Sequence, residues 1–237
     1  MAPGPHAGCI SCRAIRKFLH RHRVRPPHLR SARQSSHNTG MHPPIFHSKN
    51  DARAWSVAFR ASMTPAQRTT IGARITERLT ASPQFSETQT VLAYVGAKDG
   101  ELDTRPLIEC ALEAGKKVLV PITKPRGVML WSRLGSLADL VSTPRGLQEP
   151  HASAIALAQP ASGLCIVPGL CFRHDGHRIG FGAGYYDRFL ATFAGAAIAL
   201  APDALTGVQF PIEPHDQPVS AIFTESTEYA AEPLISG

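Results

Sequence analysis

Residues 164–190, LCIVPGLCFRHDGHRIGFGAGYYDRFL, lay out a strand, a glycine loop and the opening of a helix in direct succession. Leu164-Cys165-Ile166-Val167-Pro168 is an unbroken apolar run that reads as a buried strand, and Tyr185-Tyr186-Asp187-Arg188-Phe189-Leu190 reads as the start of a helix. Between them Gly180, Gly182 and Gly184 fall on alternate residues, so at three positions no side chain keeps an anion from the backbone N–H groups. The helix that follows turns its free N–H groups and the positive end of its dipole to the same spot. Arg178 adds a fixed cation, and Asp187, in the first helical turn, suits a magnesium ion held against phosphates. No Gly-Lys-Ser/Thr follows, so the loop is not a P-loop, and Tyr185 stands where GxGxxG requires its third glycine. Such a stretch is either an anion cradle or a plain tight turn. Arg178 and Asp187 weigh towards the cradle.

Upstream, Thr90–Val95 reads as a buried strand, and Leu107, Ile108, Ala111 and Leu112 give a helix that stops at Gly115. Lys117–Ile122 reads as a second strand, ended by Pro121 and its neighbours. Strand, helix and strand within about thirty residues make a βαβ unit, hence a parallel sheet with a right-handed crossover. Ligands in such sheets bind outside the carboxyl ends of the strands. Glu101 lies there, in the loop from Gly96 to Thr104; Asp103 or Thr104 reads as a helix cap, which leaves Glu101 without a structural task. Val128–Trp131, Ala196–Ala201 and Ser220–Phe223 read as further strands, with Trp131 a packing residue. Two helices open the domain. In the first, Ala52, Trp55 and Phe59 share one face; in the second, Thr64-Pro65-Ala66-Gln67 forms a capping box ahead of Ile71, Ile75 and Leu79. On residue type alone, Lys49 and Arg53, one turn apart, belong to a solvated face.

A chain of 237 residues is long enough for one α/β domain with a full core. Its charge of +7 is segregated: residues 1–50 contain no Asp or Glu, and eight Arg and Lys precede residue 41, so the rest carries −1. Residues 1–45 therefore read as a disordered basic leader ahead of a single domain over 46–237. A transit peptide, a nucleic-acid-binding arm and a dispensable segment with Met41 as the working start remain alternatives, the last favoured. Cys9 and Cys12 form a lone CxxC without two further zinc ligands, whereas Cys110, Cys165 and Cys171 read as reduced core residues. No run approaches the length of a membrane span. The expected location is the cytoplasm, or the mitochondrial matrix if the leader is a transit peptide; neither a nucleic acid nor a membrane is expected as a partner.

The run from Pro168 to Leu190, PGL-C-F-(x)3-G-(x)-R-I-G-F-G-(x)-G-YYDR-(x)-L, resembles the signature of the 5-formyltetrahydrofolate cyclo-ligase family, also called methenyltetrahydrofolate synthetase. The resemblance implies a single three-layer α/β/α domain with an open, mainly parallel sheet, Rossmann-like and of the phosphosugar isomerase and CoA transferase type. It also implies ATP-dependent closure of 5-formyltetrahydrofolate to 5,10-methenyltetrahydrofolate, with ADP and phosphate released. Lys49 and Arg53 match the family's Lys-x-x-(apolar)-Arg pattern, whose basic residues reach the nucleotide phosphates; Val57 stands where some members carry one more basic residue. With Arg178, the loop residues Gly180, Phe181, Gly182, Ala183 and Gly184, and Tyr185 and Tyr186, they would bind ATP. Gly96, Glu101 and the two tyrosines would line the folate side. Asp187 and Asp216 would hold Mg2+, and Ser220 replaces a second aspartate of the family pattern. Pro144–Pro150 resembles the family's Gly-(apolar)-x-Glu-Pro turn, and His215 reads as solvated. No side chain is assigned as chemical catalyst, since phosphoryl transfer asks mainly for positioning and charge neutralisation. A monomer is expected. A non-catalytic folate-binding paralogue, and an ATP-independent isomerase or acyl-transfer enzyme of the same fold type, remain as alternatives.

Overall fold

The structure, a computed structural model, describes Ile15 and residues 43–231 apart from 97–99, 144–145, 152–155 and 158. Helix α1 (Lys49–Ser62) starts at Ser48, whose hydroxyl accepts from the Asp51 N–H, and α2 (Pro65–Thr80) carries the complete Thr64–Gln67 capping box. The short α3 (Pro83–Glu87) turns the chain into β1 (Thr90–Ala93). Helix α4 (Arg105–Glu113) follows, stopped by Gly115 at φ +72°, and leads to β2 (Lys117–Thr123) and β3 (Met129–Leu134). Next come β4 (Leu140–Ser142), β5 (Gln148–Pro150) and β6 (Ala156–Leu157). After β7 (Leu164–Val167), the hairpin of β8 (Cys171–Phe172) and β9 (Arg178–Ile179) precedes α5 (Tyr185–Leu190). Strands β10 (Ala196–Leu200), β11 (Ala221–Phe223) and β12 (Glu228–Ala230) complete the chain.

Eight of these strands form one sheet in the order β12-β11-β10-β7-β1-β2-β3-β6. The run β11-β10-β7-β1-β2 is parallel, while β12 at one edge and β3 and β6 at the other are antiparallel. The sheet is thus mixed and mostly parallel. Alternation along the strands sends side chains to opposite faces. Val91, Val118 and Val120 pack with Ile75, Leu79, Leu107 and Ile108 of α2 and α4. Leu92, Leu119 and Val167 pack on the other face with Trp131 and with Phe189 of α5. Burial on both faces is why the central strands read as continuous apolar runs.

Three expectations change. Pro121 does not end β2; it lies within the strand, opposite Trp131, at a position past the three residues that pair with β1. The missing N–H therefore interrupts no ladder with β1. Antiparallel β12, the β8–β9 hairpin and the short β4, β5 and β6 carry too few residues for a periodic pattern and were not foreseen. The folded body also takes in residues before 46: Phe46 N–H donates to the Gln209 carbonyl at 2.8 Å, and Gln209 N–H to the Pro44 carbonyl at 2.9 Å. In the leader, Ile15 is helical and packs against the α2–α4 side of the core, where composition predicts disorder; Cys9, Cys12 and Met41 lie outside the described residues. Among the described residues no helix is long and apolar enough to cross a membrane.

At the carboxyl end of β1 the backbone of Gly96 is pressed against Leu102. A Cβ at Gly96 would stand 2.3 Å from the Leu102 carbonyl oxygen. Gly96→Ala therefore displaces the loop that carries Glu101, and we expect a loss of about 1–3 kcal/mol in urea unfolding, read at unchanged m-value.

Candidate active site

The carboxyl ends of β1, β2 and β7, the start of α1 and the loop after β9 enclose a cavity of about 320 Å³. Helix α1 supplies three cations from one stripe, because Arg53 and Arg60 follow Lys49 by about one and three turns. Lys49 and Arg53 line the cavity. Arg60 lies beneath it, 4% exposed, and its guanidinium donates to the Gly169 carbonyl (2.5 Å), the Leu170 carbonyl (3.0 and 3.2 Å) and the Gly100 carbonyl (3.0 Å). One buried side chain thus fastens the loop after β7 to the loop that carries Glu101. Its sequence signal was present, since it shares the helical stripe of Lys49 and Arg53, but the sequence reading gave it no role.

The glycine loop is held from α1: Arg53 Nε donates to the Gly180 carbonyl at 3.1 Å. The three glycines differ. Gly182 has φ +97° and Gly184, at the N-cap of α5, has φ +63°, both in the left-handed region. Gly180 has no such φ, and a Cβ there would meet no atom within 4 Å. Phe181 is exposed, and Ala183 accepts a hydrogen bond from Arg188 (2.5 Å) that ties the loop to the helix it precedes. Gly180, Phe181, Gly182, Ala183 and Gly184 all line the cavity.

The acids and bases expected to act separately are found paired. Lys49 Nζ donates to both oxygens of Asp216, at 2.6 and 2.8 Å, and to Glu213 at 2.9 Å. Burial works against the charge on Asp216, but the hydrogen bonds from Lys49 and from the Glu213 N–H outweigh it and hold the carboxyl below its ordinary range. Burial likewise works against Lys49, and its two acidic partners raise it. Arg178 is not a free cation: it is 8% exposed and donates to the Gln217 carbonyl (2.5 Å) and to Asp187 Oδ1 (2.9 Å). That bond and one from the Gln217 N–H (3.2 Å) also engage Asp187. The grouping with metal-ligand geometry joins Asp216 to Glu213 and His215, their ligand atoms within 4.8 Å of one another. Ser220 has a structural role, its hydroxyl donating to the Ala197 carbonyl at 2.8 Å.

Across the cavity the lining turns apolar and acidic. Val95, Pro121, Met129 and Leu147 share it with Glu101, Tyr185 and Tyr186. Tyr185 donates to the Lys124 carbonyl (2.9 Å), while Tyr186 sets its ring edge-on to Trp131 and keeps its buried hydroxyl without a partner. Burial raises that phenol well above its ordinary value. Gly96 does not line the cavity; its missing side chain admits the Leu102 carbonyl instead. The Thr104 hydroxyl makes no cap bond: it donates to the Tyr94 carbonyl and accepts from the Gly96 N–H, while Asp103 accepts from the Arg105 N–H. Sequence reasoning met Glu149 only as the acid of the Gly-(apolar)-x-Glu-Pro turn and gave it no part in the site. It lies in the cavity wall, 8% exposed, bound to Thr123. Burial pushes the Cys171 thiol up to about 11, so it is no nucleophile.

Known proteins resemble this chain in sequence and fold. The profile of the 5-formyltetrahydrofolate cyclo-ligase family matches residues 46–225. A 5-formyltetrahydrofolate cyclo-ligase of Escherichia coli strain K12 is 32% identical over 174 residues, which cover 70% of this chain and 94% of that protein. A mitochondrial 5-formyltetrahydrofolate cyclo-ligase of Arabidopsis thaliana is 26% identical over 209 residues, 77% of this chain and 76% of its own. The NMR structure of Aquifex aeolicus 5,10-methenyltetrahydrofolate synthetase superposes with a TM-score of 0.69 at 26% identity, covering 80% of this chain and 95% of that one.

The Lys49–Asp216 pair has a predictable pH signature. A lowered carboxyl contributes stability that is complete above its unfolded value, near 3.8, and is lost as pH falls through the folded value. Asp216→Asn is expected to cost about 1 kcal/mol at pH 7. The gap to the unsubstituted protein should close towards pH 3 in urea titrations.

Proposed function

We propose a task for each wall of the cavity from the premise that this chain belongs to the 5-formyltetrahydrofolate cyclo-ligase family and converts 5-formyltetrahydrofolate to 5,10-methenyltetrahydrofolate, with the ATP use that membership implies. The triphosphate lies along Lys49, Arg53 and the loop Gly180–Gly184, and the pterin lies between Glu101, Tyr185 and Tyr186. The observation that carries this reading is the placing of the cations: Lys49, Arg53 and Arg178 line the cavity with the open glycine backbone, whereas Glu101 and Glu149 share it with the apolar Val95, Pro121, Met129 and Leu147. A carboxylate suits the N–H donors of a pterin, and an aromatic ring suits its flat face. The formyl oxygen takes the γ-phosphoryl group, N10 bonds to the formyl carbon, and phosphate leaves. The chain's residues position these groups and neutralise charge.

The oxygen donors of Asp216 and Glu213 fit Mg2+, which when bound neutralises phosphate charge. Asp216 is the ligand we assign first. Asp187 belongs to the site through Arg178, which it orients. With ATP–Mg bound, Lys49 exchanges its bond to Asp216 for one to phosphate. The sheet belongs, on this reading, to the Rossmann-like kind of phosphosugar isomerases and CoA transferases. We take the chain to act as a monomer. The buried free thiols Cys110, Cys165 and Cys171 suit a reducing compartment, the cytoplasm by preference and the mitochondrial matrix if the basic leader directs import.

Gly180 is the cleanest test of the cradle. Gly182→Val would force a β-branched residue into a left-handed backbone and confound binding with strain. Gly180→Val meets neither obstacle. We expect its ATP affinity to fall by about tenfold or more, on the order of one lost charge-assisted contact, with 5-formyltetrahydrofolate affinity and melting temperature nearly unchanged. Unaltered ATP titration in the folded variant would reduce the glycine stretch to a turn.

A further inference from the structure

Glu149 has no part in that assignment, and its surroundings ask for one. Its Oε1 accepts from the Thr123 N–H at 3.0 Å and from the Thr123 hydroxyl at 2.6 Å. Among the described residues, no further bond reaches it and no Lys, Arg or His pairs with it. The cavity's cations are engaged elsewhere: Lys49 with Asp216 and Glu213, Arg178 with Asp187, Arg53 with the Gly180 carbonyl and Asn50. A buried carboxylate without a counter-charge is costly. It is retained where a ligand brings the positive charge.

The sheet order says at which end that ligand group lies. Glu149 is bound to the last residue of β2, whereas Asp216 precedes β11, with three strands between the two. The carboxylate therefore faces the end of the cavity opposite the phosphate cations.

Charge appears there during the reaction. The formyl group of the substrate is neutral. Its oxygen bonds to the γ-phosphorus of ATP as the β–γ bridging P–O bond breaks and ADP leaves. N10 then bonds to the formyl carbon, the C–O bond breaks with its electrons going to phosphate, and phosphate takes up the N10 proton. What remains is a cation shared over N5, the bridging carbon and N10. Positive charge thus arises on N5 when its formyl oxygen is phosphorylated, passes to N10 as that atom bonds, and is shared over N5, the bridging carbon and N10 as the C–O bond breaks. We propose that Glu149 is the counter-charge for this developing amidinium cation. Anchored in advance by Thr123, it favours the ring-closing transition state over the bound substrate. This inference rests on the placement of the folate given above.

The test uses the full chain with Glu149→Gln and Thr123→Val. Glutamine keeps an acceptor for both Thr123 donors and removes only the charge; valine removes one anchor and leaves the charge. Stopped-flow binding of 5-formyltetrahydrofolate and of 5,10-methenyltetrahydrofolate, without ATP, gives the two dissociation constants. We expect Glu149→Gln to weaken the cationic ligand by roughly 10- to 100-fold, the size of one partly buried charge pair. Affinity for the neutral ligand should change by less than about threefold. In turnover, kcat should fall more than KM rises. Thr123→Val should still prefer the cation. Equal loss of both ligands, unchanged binding of the cation, or collapse of the glutamine variant's fold would make Glu149 a structural anchor and overturn the proposal. If the unsubstituted protein bound neither folate, the placement of the folate itself would fail, and this inference with it.

Discussion

A guanidinium drawn almost wholly out of water is the constraint on which the site depends. Arg60 keeps its charge on burial, although desolvation lowers its pKa, and satisfies the charge with the carbonyls of Gly169, Leu170 and Gly100. Those carbonyls belong to the loops after β7 and β1, adjacent parallel strands whose ends open in the same direction. Parallel pairing brings the loops side by side but does not fix their distance. Arg60 does so from a rigid helix, and that helix also presents Lys49 and Arg53. The cations lining the cavity and the backbone beneath them therefore share one frame.

The pairing of Lys49 with Asp216 follows from gathering opposite charges before a nucleotide is present. A lysine in a partly buried wall without an anion, or an aspartate there without a cation, would each bear a desolvation penalty that mutual contact offsets. On the reading proposed above the site would also be responsive: an incoming polyanion would compete for Lys49, and a divalent cation for Asp216. Each exchange would make the other easier, because the displaced partner is left needing a counter-charge. Arg178 and Asp187 form a second pair, in which Arg178 is buried and held additionally by the Gln217 carbonyl, so that contact acts as scaffold.

How much of this could be read beforehand depended on whether the signal was local. The central strands β1, β2, β7 and β10, buried on both faces, announce themselves as apolar runs, and the Thr64 capping box lies within four residues. The place of Glu101 at the carboxyl end of the sheet follows from βαβ geometry, whereas Lys49 and Arg53, on a solvated face by residue type alone, entered the site only through the family resemblance. Pairings across the chain were hidden. Nothing in the spacing of Thr123 and Glu149, or of Lys49 and Asp216, foretells a contact, because a turn of unknown path lies between. Pro121 misled because proline usually ends a central strand; here the neighbouring strand had already ended. Gly96 was assigned to a ligand, but its backbone packs on Leu102; of the two cap candidates, Thr104 is the N-cap residue with its hydroxyl turned to Tyr94 and Gly96, and Asp103 is the one that accepts from the helix, at the Arg105 N–H.

The glycine loop shows why a motif's letters understate its mechanism. Helix α5 has only six residues, so its dipole is small, and the anion binding proposed above would rest on the loop backbone and on α1. The glycines divide that work. Gly182 and Gly184 give the chain left-handed turns that other residues adopt only under strain, while Gly180 keeps space clear beside the carbonyl that Arg53 holds. Two glycines shape the loop and the third leaves it accessible. A strand, a loop and a very short helix can thus present backbone N–H groups to an anion without the lysine of a P-loop, provided that cations arrive from a separate helix fixed at the right depth. In this fold Arg60 fixes that depth.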